Sequence, residues 1–271
     1  MRGINGIPVL GLGTFGRGGF DGARLMLEAV RLGYRHIDTA QGYGNEAGVR
    51  EAMRASGLPR KEFFVTTKVA GLNLARGHFM PSLLSSLTAL GLEQIDLTLI
   101  HWPAEPGGVP MESYLEDLAA AQERGLTRLI GVSNFPAALI DRAEKILGAG
   151  KIAANQVEVH PYLQNRKLRA HCQQRGIAVT AYMPLAKGKA ASDPVIQAVA
   201  AKHGAAPAAV TLKFLLDEDM IVIPASSRIE NLAANLQALD VTLDESDRAA
   251  FRALERGERL VNPKFPPDWD D

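Results

Sequence analysis

Arg35-His36-Ile37-Asp38, a helix-length stretch at 46–55, and then Phe64-Val65-Thr66-Thr67-Lys68 decide the reading of this chain. Two short strand-like runs flank one amphipathic segment, the pattern of parallel strands joined by a crossover helix. Each run ends on a charged residue, Asp38 in the first and Lys68 in the second. Ile95-Asp96-Leu97-Thr98-Leu99-Ile100 repeats the theme and is followed by His101-Trp102-Pro103. Polar residues at the ends of parallel strands converge at the C-terminal mouth of a barrel, however far apart they stand in sequence. Tyr43, just beyond the first run in Gly42-Tyr43-Gly44-Asn45-Glu46, belongs with them.

The same alternation continues outward in both directions. Strands are expected at residues 9–11, 35–38, 64–68, 96–100, 129–132, 154–158, 178–182 and 220–223, with amphipathic helices at 22–32, 46–55, 81–90, 113–124, 136–147 and 167–175. Two further helices, at 193–202 and 207–216, lie between the last two strands. Gly33, Gly57, Gly91, Gly125 and Gly176 follow helical stretches, while Pro136, Pro194 and Pro207 suit first-turn positions. Asn5-Gly6 signals a tight turn, so residues 2–9 are expected to form a small hairpin under the barrel. From Leu260 onward Pro263, Pro266, Pro267 and Trp269 read as an irregular tail. No linker or composition shift interrupts the pattern, so residues 1–271 read as one (β/α)8 TIM barrel domain.

Composition narrows the function. The 271 residues are 46% apolar, enough for one large core. Thirty basic and thirty acidic residues cancel with no basic block, so attraction to nucleic acid or anionic lipid is not expected. Cys172 is the sole cysteine, which rules out an internal disulfide and a cysteine-built zinc site and suits a reducing compartment. Met1 to Thr14 is broken by glycines and Pro8, and no later run is apolar enough to span a bilayer, so a cytoplasmic location is expected. The absence of a His-x-His or His-Glu-x-x-His arrangement weighs against a metal-dependent barrel hydrolase. His160 and His171 read as loop or helix-surface residues.

Asp38-Thr39-Ala40-Gln41-Gly42-Tyr43-Gly44-Asn45-Glu46, Leu99-Ile100-His101-Trp102-Pro103, Gly131-Val132-Ser133-Asn134-Phe135 and Asn155-Gln156-Val157-Glu158 resemble, in order, the successive signatures of the aldo-keto reductases. Pro161-Tyr162-Leu163-Gln164-Asn165-Arg166 and the Arg259-Leu260-Val261 tail narrow the resemblance to a bacterial subfamily acting on small dicarbonyls such as methylglyoxal or 2,5-diketo-D-gluconate. The resemblance implies an NAD(P)H-dependent reductase of aldehydes or ketones, acting as a monomer, with Asp38, Tyr43, Lys68 and His101 as its catalytic tetrad. Singly, each of the four is more often an ion-pair member, a packed aromatic or a core histidine. Four matching positions together favour the site.

The side chains answer the chemistry. Reduction needs a hydride at carbon and a proton at oxygen, and a phenol of pKa about 10 can donate that proton if its pKa is brought toward working pH. Lys68 beside Tyr43 is expected to lower that pKa, with Asp38 holding the lysine charged. His101 would donate to the substrate oxygen as charge develops there. The resemblance places Phe15 and Trp102 beside His101 at the substrate opening.

For the cofactor, Gly11-Leu12-Gly13-Thr14-Phe15-Gly16 is only superficially a dinucleotide fingerprint and is read as a chain turn at the mouth. The resemblance implies instead that Ser133, Asn134 and Gln156 hold the carboxamide and that Tyr182, ahead of Met183-Pro184-Leu185, stacks on the ring. Asp38, Asn231 and Asn235 complete the implied cofactor set. At the phosphate end the chain departs from many relatives, since Ala225-Ser226-Ser227-Arg228-Ile229-Glu230-Asn231 lacks two expected basic residues. Ser226, Ser227, Arg228 and a helix starting near Ile229 remain as phosphate ligands, which favours NADPH with NADH also possible. A second function class stays open at this point: a non-catalytic barrel that binds nicotinamide nucleotide and reports redox state.

Overall fold

The computed structural model describes residues 3–270. β1 (Gly3–Ile4) and β2 (Ile7–Pro8) pair antiparallel around Asn5-Gly6, both in the left-handed region at φ 52° and 76°. That backbone is what a two-residue hairpin turn requires. Residue 2 of the expected hairpin lies outside the described residues. The Asn5 amide donates to the Ala153 and Gly176 carbonyls and pins the hairpin against the barrel.

The main sheet has eight parallel strands: β3 (Gly11–Gly13), β4 (His36–Asp38), β5 (Phe64–Val69), β6 (Ile95–Ile100), β7 (Thr127–Ser133), β8 (Ile152–Glu158), β9 (Ala178–Tyr182) and β10 (Met220–Val222). They pair in sequential order from β3 to β10. A parallel bridge between Leu10 and Val222, with Val222 N donating to the Val9 carbonyl at 2.8 Å, brings the ends together as a barrel. The connecting helices are α1 (Gly19–Leu32), α2 (Glu46–Ser56), α3 (Phe79–Leu90), α4 (Met111–Glu123), α5 (Ala137–Leu147), α6 (Arg166–Gln174), α7 (Pro194–Lys202) and α8 (Pro207–Asp217). α9 (Ile229–Leu236) and α10 (Glu245–Arg252) follow the last strand.

Three expectations are corrected. The first barrel strand is Gly11–Gly13, two residues later than expected, so the first half of the glycine run is strand rather than a mouth turn. The reason is close approach: a Cβ at Gly13 would lie 2.6 Å from the Ile223 carbonyl oxygen, and one at Gly11 would lie 2.7 Å from the His36 ring. α10 was not anticipated, although its start carries a capping box in which Asp244 accepts from Asp247 N and Asp247 accepts from Asp244 N. Pro194 and Pro207 open their helices as expected, whereas Pro136 stands one residue ahead of α5.

Alternation along the strands carries the core into the site. Ile7, Phe64, Leu97, Leu99, Ala154, Ala178 and Ile221 form an apolar plug. Because side chains two residues apart share a face, Phe64 leads through Thr66 to Lys68, Leu99 to His101, and Ala154 through Gln156 to Glu158. The polar mouth is therefore the upward continuation of the same inward rows.

Gly131 shows how tightly these rows are set. The β7–β8 register shifts between Ile130 and Val132, and a Cβ on Gly131 would meet the Ala154 carbonyl oxygen at 2.5 Å and Leu99 Cδ2 at 2.8 Å. Gly131→Ala is expected to cost about 1–3 kcal/mol through overpacking. Chemical denaturation checks this, and an unchanged midpoint would show that β7 can move aside.

No helix among the described residues is long and apolar enough to cross a membrane. Nor do the described residues contain three His, Cys, Asp or Glu side chains placed to hold a metal ion.

Candidate active site

The four sequence-nominated residues meet at the C-terminal mouth. Asp38 ends β4, Tyr43 closes the short helical turn Gln41–Tyr43, Lys68 lies near the end of β5, and His101 follows β6. Lys68 is fully buried, and its Nζ donates to Asp38 Oδ1 at 2.5 Å, to the Thr39 carbonyl at 2.8 Å and to Tyr43 Oη at 3.4 Å. The other Asp38 oxygen accepts from Gln156 Nε2 at 2.6 Å. The buried ion pair is thus hydrogen-bonded at both partners, which a charge pair removed from water requires.

Burial disfavours the charge on Lys68, but Asp38 and Tyr43 outweigh it and raise the lysine's pKa. For Tyr43 the balance differs from expectation. Burial raises its pKa above the usual phenol value, and Lys68 pulls in the opposite direction without overcoming it. Lys68 therefore limits the rise instead of producing a net fall. Burial, reinforced by the Lys68 charge, pushes His101 down to about 3, so its imidazole is neutral at physiological pH. A neutral imidazole keeps one N–H donor.

Aromatic rings frame this group. Phe15, 71% exposed at the rim, packs edge-on to Tyr43 with centroids 5.1 Å apart, and the His101 ring stands 5.6 Å from Tyr43. Trp102 is half-buried and meets Trp269 of the C-terminal tail at 6.2 Å.

On the neighbouring strands, Ser133 Oγ donates to the Gln156 carbonyl at 2.8 Å, and Asn134 Nδ2 donates to the His101 carbonyl at 3.0 Å. Tyr182 Oη donates to Asn134 Oδ1 at 2.9 Å. Asn134 and Met183 adopt left-handed backbone at φ 63° and 51°, which bends the chain as it leaves β7 and β9. Pro184 is buried and Leu185 half-buried beyond Met183.

At the phosphate end, Ser226 is buried and its Oγ accepts from Arg228 N at 3.1 Å. Ser227, Arg228 and Asn231 are exposed, and α9 begins after Arg228 without a side-chain cap. Arg228 is 3.5 Å from Glu230, both more than 70% exposed, a geometry worth little as an ion pair. Asn235 is buried on α9 with its side-chain amide beside the Tyr34 hydroxyl.

Sequence reasoning missed three contributors. Arg17 reaches across 209 residues so that its Nε donates to the Ser226 carbonyl at 3.0 Å, and it has no carboxylate partner among the described residues. Nothing in the local sequence around Gly16-Arg17-Gly18 announces that reach. Thr39 serves Lys68 through its carbonyl, which side-chain type cannot reveal. His160 lies in the loop after β8, one of the expected positions, but is buried and bonded to Glu158 at 3.0 Å, which residue type alone does not announce. Period-two spacing from Gln156 to Glu158 was the available signal. His171 is half-buried on α6 against Asp141 at 2.8 Å, and Cys172 is buried with its thiol pushed up to about 12 by desolvation.

An eight-stranded parallel barrel with a Tyr, a Lys–Asp pair and a neutral His at its mouth defines a class, and comparison with known proteins identifies it. The Aldo/keto reductase family model matches residues 9–256, and the chain belongs to that family. The methylglyoxal reductase DkgB of Escherichia coli O157:H7 is 47% identical over 97% of this chain and 99% of its own. An aldo-keto reductase of Mycolicibacterium vanbaalenii is 41% identical over 97% of this chain and 92% of its own. Among solved structures, a protein provisionally assigned as a 2,5-diketo-D-gluconic acid reductase B superposes with a TM-score of 0.95 at 38% identity, covering 98% of this chain and 95% of that one. The protein is an oxidoreductase of carbonyl compounds in a family that generally uses NAD(P)H. Nothing in these likenesses supports a non-catalytic redox sensor.

Proposed function

We propose that the protein reduces small dicarbonyls such as methylglyoxal or 2,5-diketo-D-gluconate with NADPH, using Tyr43 as proton donor. The observation that carries this reading is the chain Asp38–Lys68–Tyr43, with Lys68 Nζ bonded to Asp38 and 3.4 Å from Tyr43 Oη beside a neutral His101. The substrate class comes from the names of the similar proteins.

The residues present suit a nicotinamide nucleotide. The uncapped start of α9 offers amides to phosphate, and Asn235 lies buried on the same helix. A bound nicotinamide supplies the hydride. Ser133, Asn134 and Gln156 would hold its carboxamide, and Tyr182, followed by Met183, Pro184 and Leu185, would pack against the ring. Asp38 orients Gln156 by accepting from its Nε2. Tyr43 gives its proton to the substrate oxygen, Lys68 favours the resulting phenolate, and His101 donates a hydrogen bond to the same oxygen. Asp38 keeps Lys68 charged throughout.

NADPH is favoured by the loop Ser226-Ser227-Arg228, by Asn231 and by Arg17 behind Ser226. Arg228→Ala is expected to weaken NADPH by roughly tenfold or more while sparing NADH, because a charge-assisted contact to the 2′-phosphate is worth about 1.5–3 kcal/mol. Ala225→Lys should move preference the other way. The check is kcat/KM for both cofactors at low and raised salt, since a partly exposed contact is screened. Equal losses with both cofactors would mean that Arg228 supports the loop rather than reading the phosphate.

A further inference from the structure

The carboxylate of Glu158, at the end of β8, is fully buried yet takes no part in the proton chemistry above. Its Oε1 accepts from Leu260 N at 2.7 Å and faces His160 Nε2 at 3.0 Å, while Oε2 accepts from Val261 N at 2.9 Å. Two consecutive amides of the C-terminal tail are therefore held by one buried carboxylate more than a hundred residues earlier. A carboxylate held by three donors in a buried site is a strong fastener, because each bond is charge-assisted and screened little by water.

The contacts continue from this point to the mouth. Arg259, next to the fastened amides, places its guanidinium 3.9 Å from the centre of the Trp269 ring. Trp269 packs edge-on against Trp102, the neighbour of His101. Asp270 accepts from Ala137 N at the start of α5, and Lys187 Nζ donates to the Leu260 carbonyl. The tail is thus a strap, pinned at β8 and at α5, that crosses beside the site.

We infer that Glu158 is a positioning residue that fastens the strap, so that Arg259 and Trp269 hold Trp102 as a fixed wall of the carbonyl pocket. The inference rests on reading the mouth as that pocket. Glu158 shares the inward face of β8 with Gln156, so one strand orients the Asp38 side of the site and anchors the substrate wall. His160 acts from behind by holding the carboxylate.

The experiment is hydrogen exchange of the tail amides combined with steady-state kinetics on Glu158→Gln and Trp269→Ala. Glutamine cannot accept at both positions, so exchange at Leu260 and Val261 should quicken by roughly tenfold or more. KM for methylglyoxal should rise by roughly tenfold while kcat and the NADPH dissociation constant change by less than about twofold, the signature of lost ground-state binding. Trp269→Ala should reproduce the rise in KM without quickening exchange at the two amides. Unchanged exchange in Glu158→Gln, or quickened exchange with unchanged KM, would overturn the inference. Should Glu158→Gln fail to fold, the unaltered protein and Trp269→Ala decide: unprotected Leu260 and Val261 amides, or an unmoved KM, would equally overturn it. Exchange is read without turnover, so failure of the strap is distinguishable from failure of the reductase reading.

Discussion

Tyr43→Phe is expected to lower kcat by about 10²–10⁴-fold, the range attributed to a positioned general acid, while leaving NADPH affinity nearly unchanged. The substitution removes only the phenolic oxygen. The ring contacts with Phe15 and His101 remain available, so the shape of the mouth is preserved. Lys68 keeps its bonds to Asp38 and the Thr39 carbonyl and loses only the longer contact at 3.4 Å. Cofactor affinity is read by fluorescence titration and turnover by nicotinamide absorbance. Substantial turnover in the variant, with contamination excluded, would require another acid. His101 is the nearest alternative, but it is held neutral with a pKa of about 3 and is suited to donate a hydrogen bond rather than a proton from its cationic form.

Lys68→Met is expected to slow both reaction directions and also to weaken the fold. Burial already raises the Tyr43 pKa, with Lys68 acting against that rise, so removing the ammonium raises it further. In the proposed mechanism alcohol oxidation needs the phenolate as base, so its pH optimum should move upward. An unchanged optimum with intact chemistry would remove Lys68 from the proton-transfer chain. The same change leaves the Asp38 carboxylate buried with Gln156 as its remaining side-chain partner, and breaking a buried pair at one end costs about 3–5 kcal/mol. Combining Lys68→Met with Asp38→Asn should recover much of that stability without recovering turnover. Recovery of turnover as well would mean that the lysine acts by holding the fold alone.

The parts of this architecture that depend on residue alternation were legible in the sequence. Strand-like runs, helix-stopping glycines and the inward rows ending at Asp38, Lys68 and His101 are local patterns, and seven of the eight barrel strands overlap their expected ranges closely. The first strand was displaced because its glycines answer to His36 and Ile223, contacts that arise only when the barrel closes. That Asp38, Tyr43, Lys68 and His101 meet at one mouth follows from their places at or just beyond strand ends, and each residue type answers one need of the proposed chemistry. Arg17 and Glu158 were not legible, because their meaning comes from Ser226 and from the Leu260 and Val261 amides, which the fold alone brings near. The direction of the Tyr43 shift was likewise missed, since the penalty of burial cannot be weighed against one lysine until the depth of the site is known.

The most direct test of the account is the initial rate of NADPH oxidation, with NADH in parallel, against a panel of carbonyls that includes methylglyoxal and 2,5-diketo-D-gluconate. The account predicts carbonyl-dependent oxidation with NADPH preferred and a small dicarbonyl among the best substrates. Tight NADPH binding without oxidation by any member of the panel would contradict it.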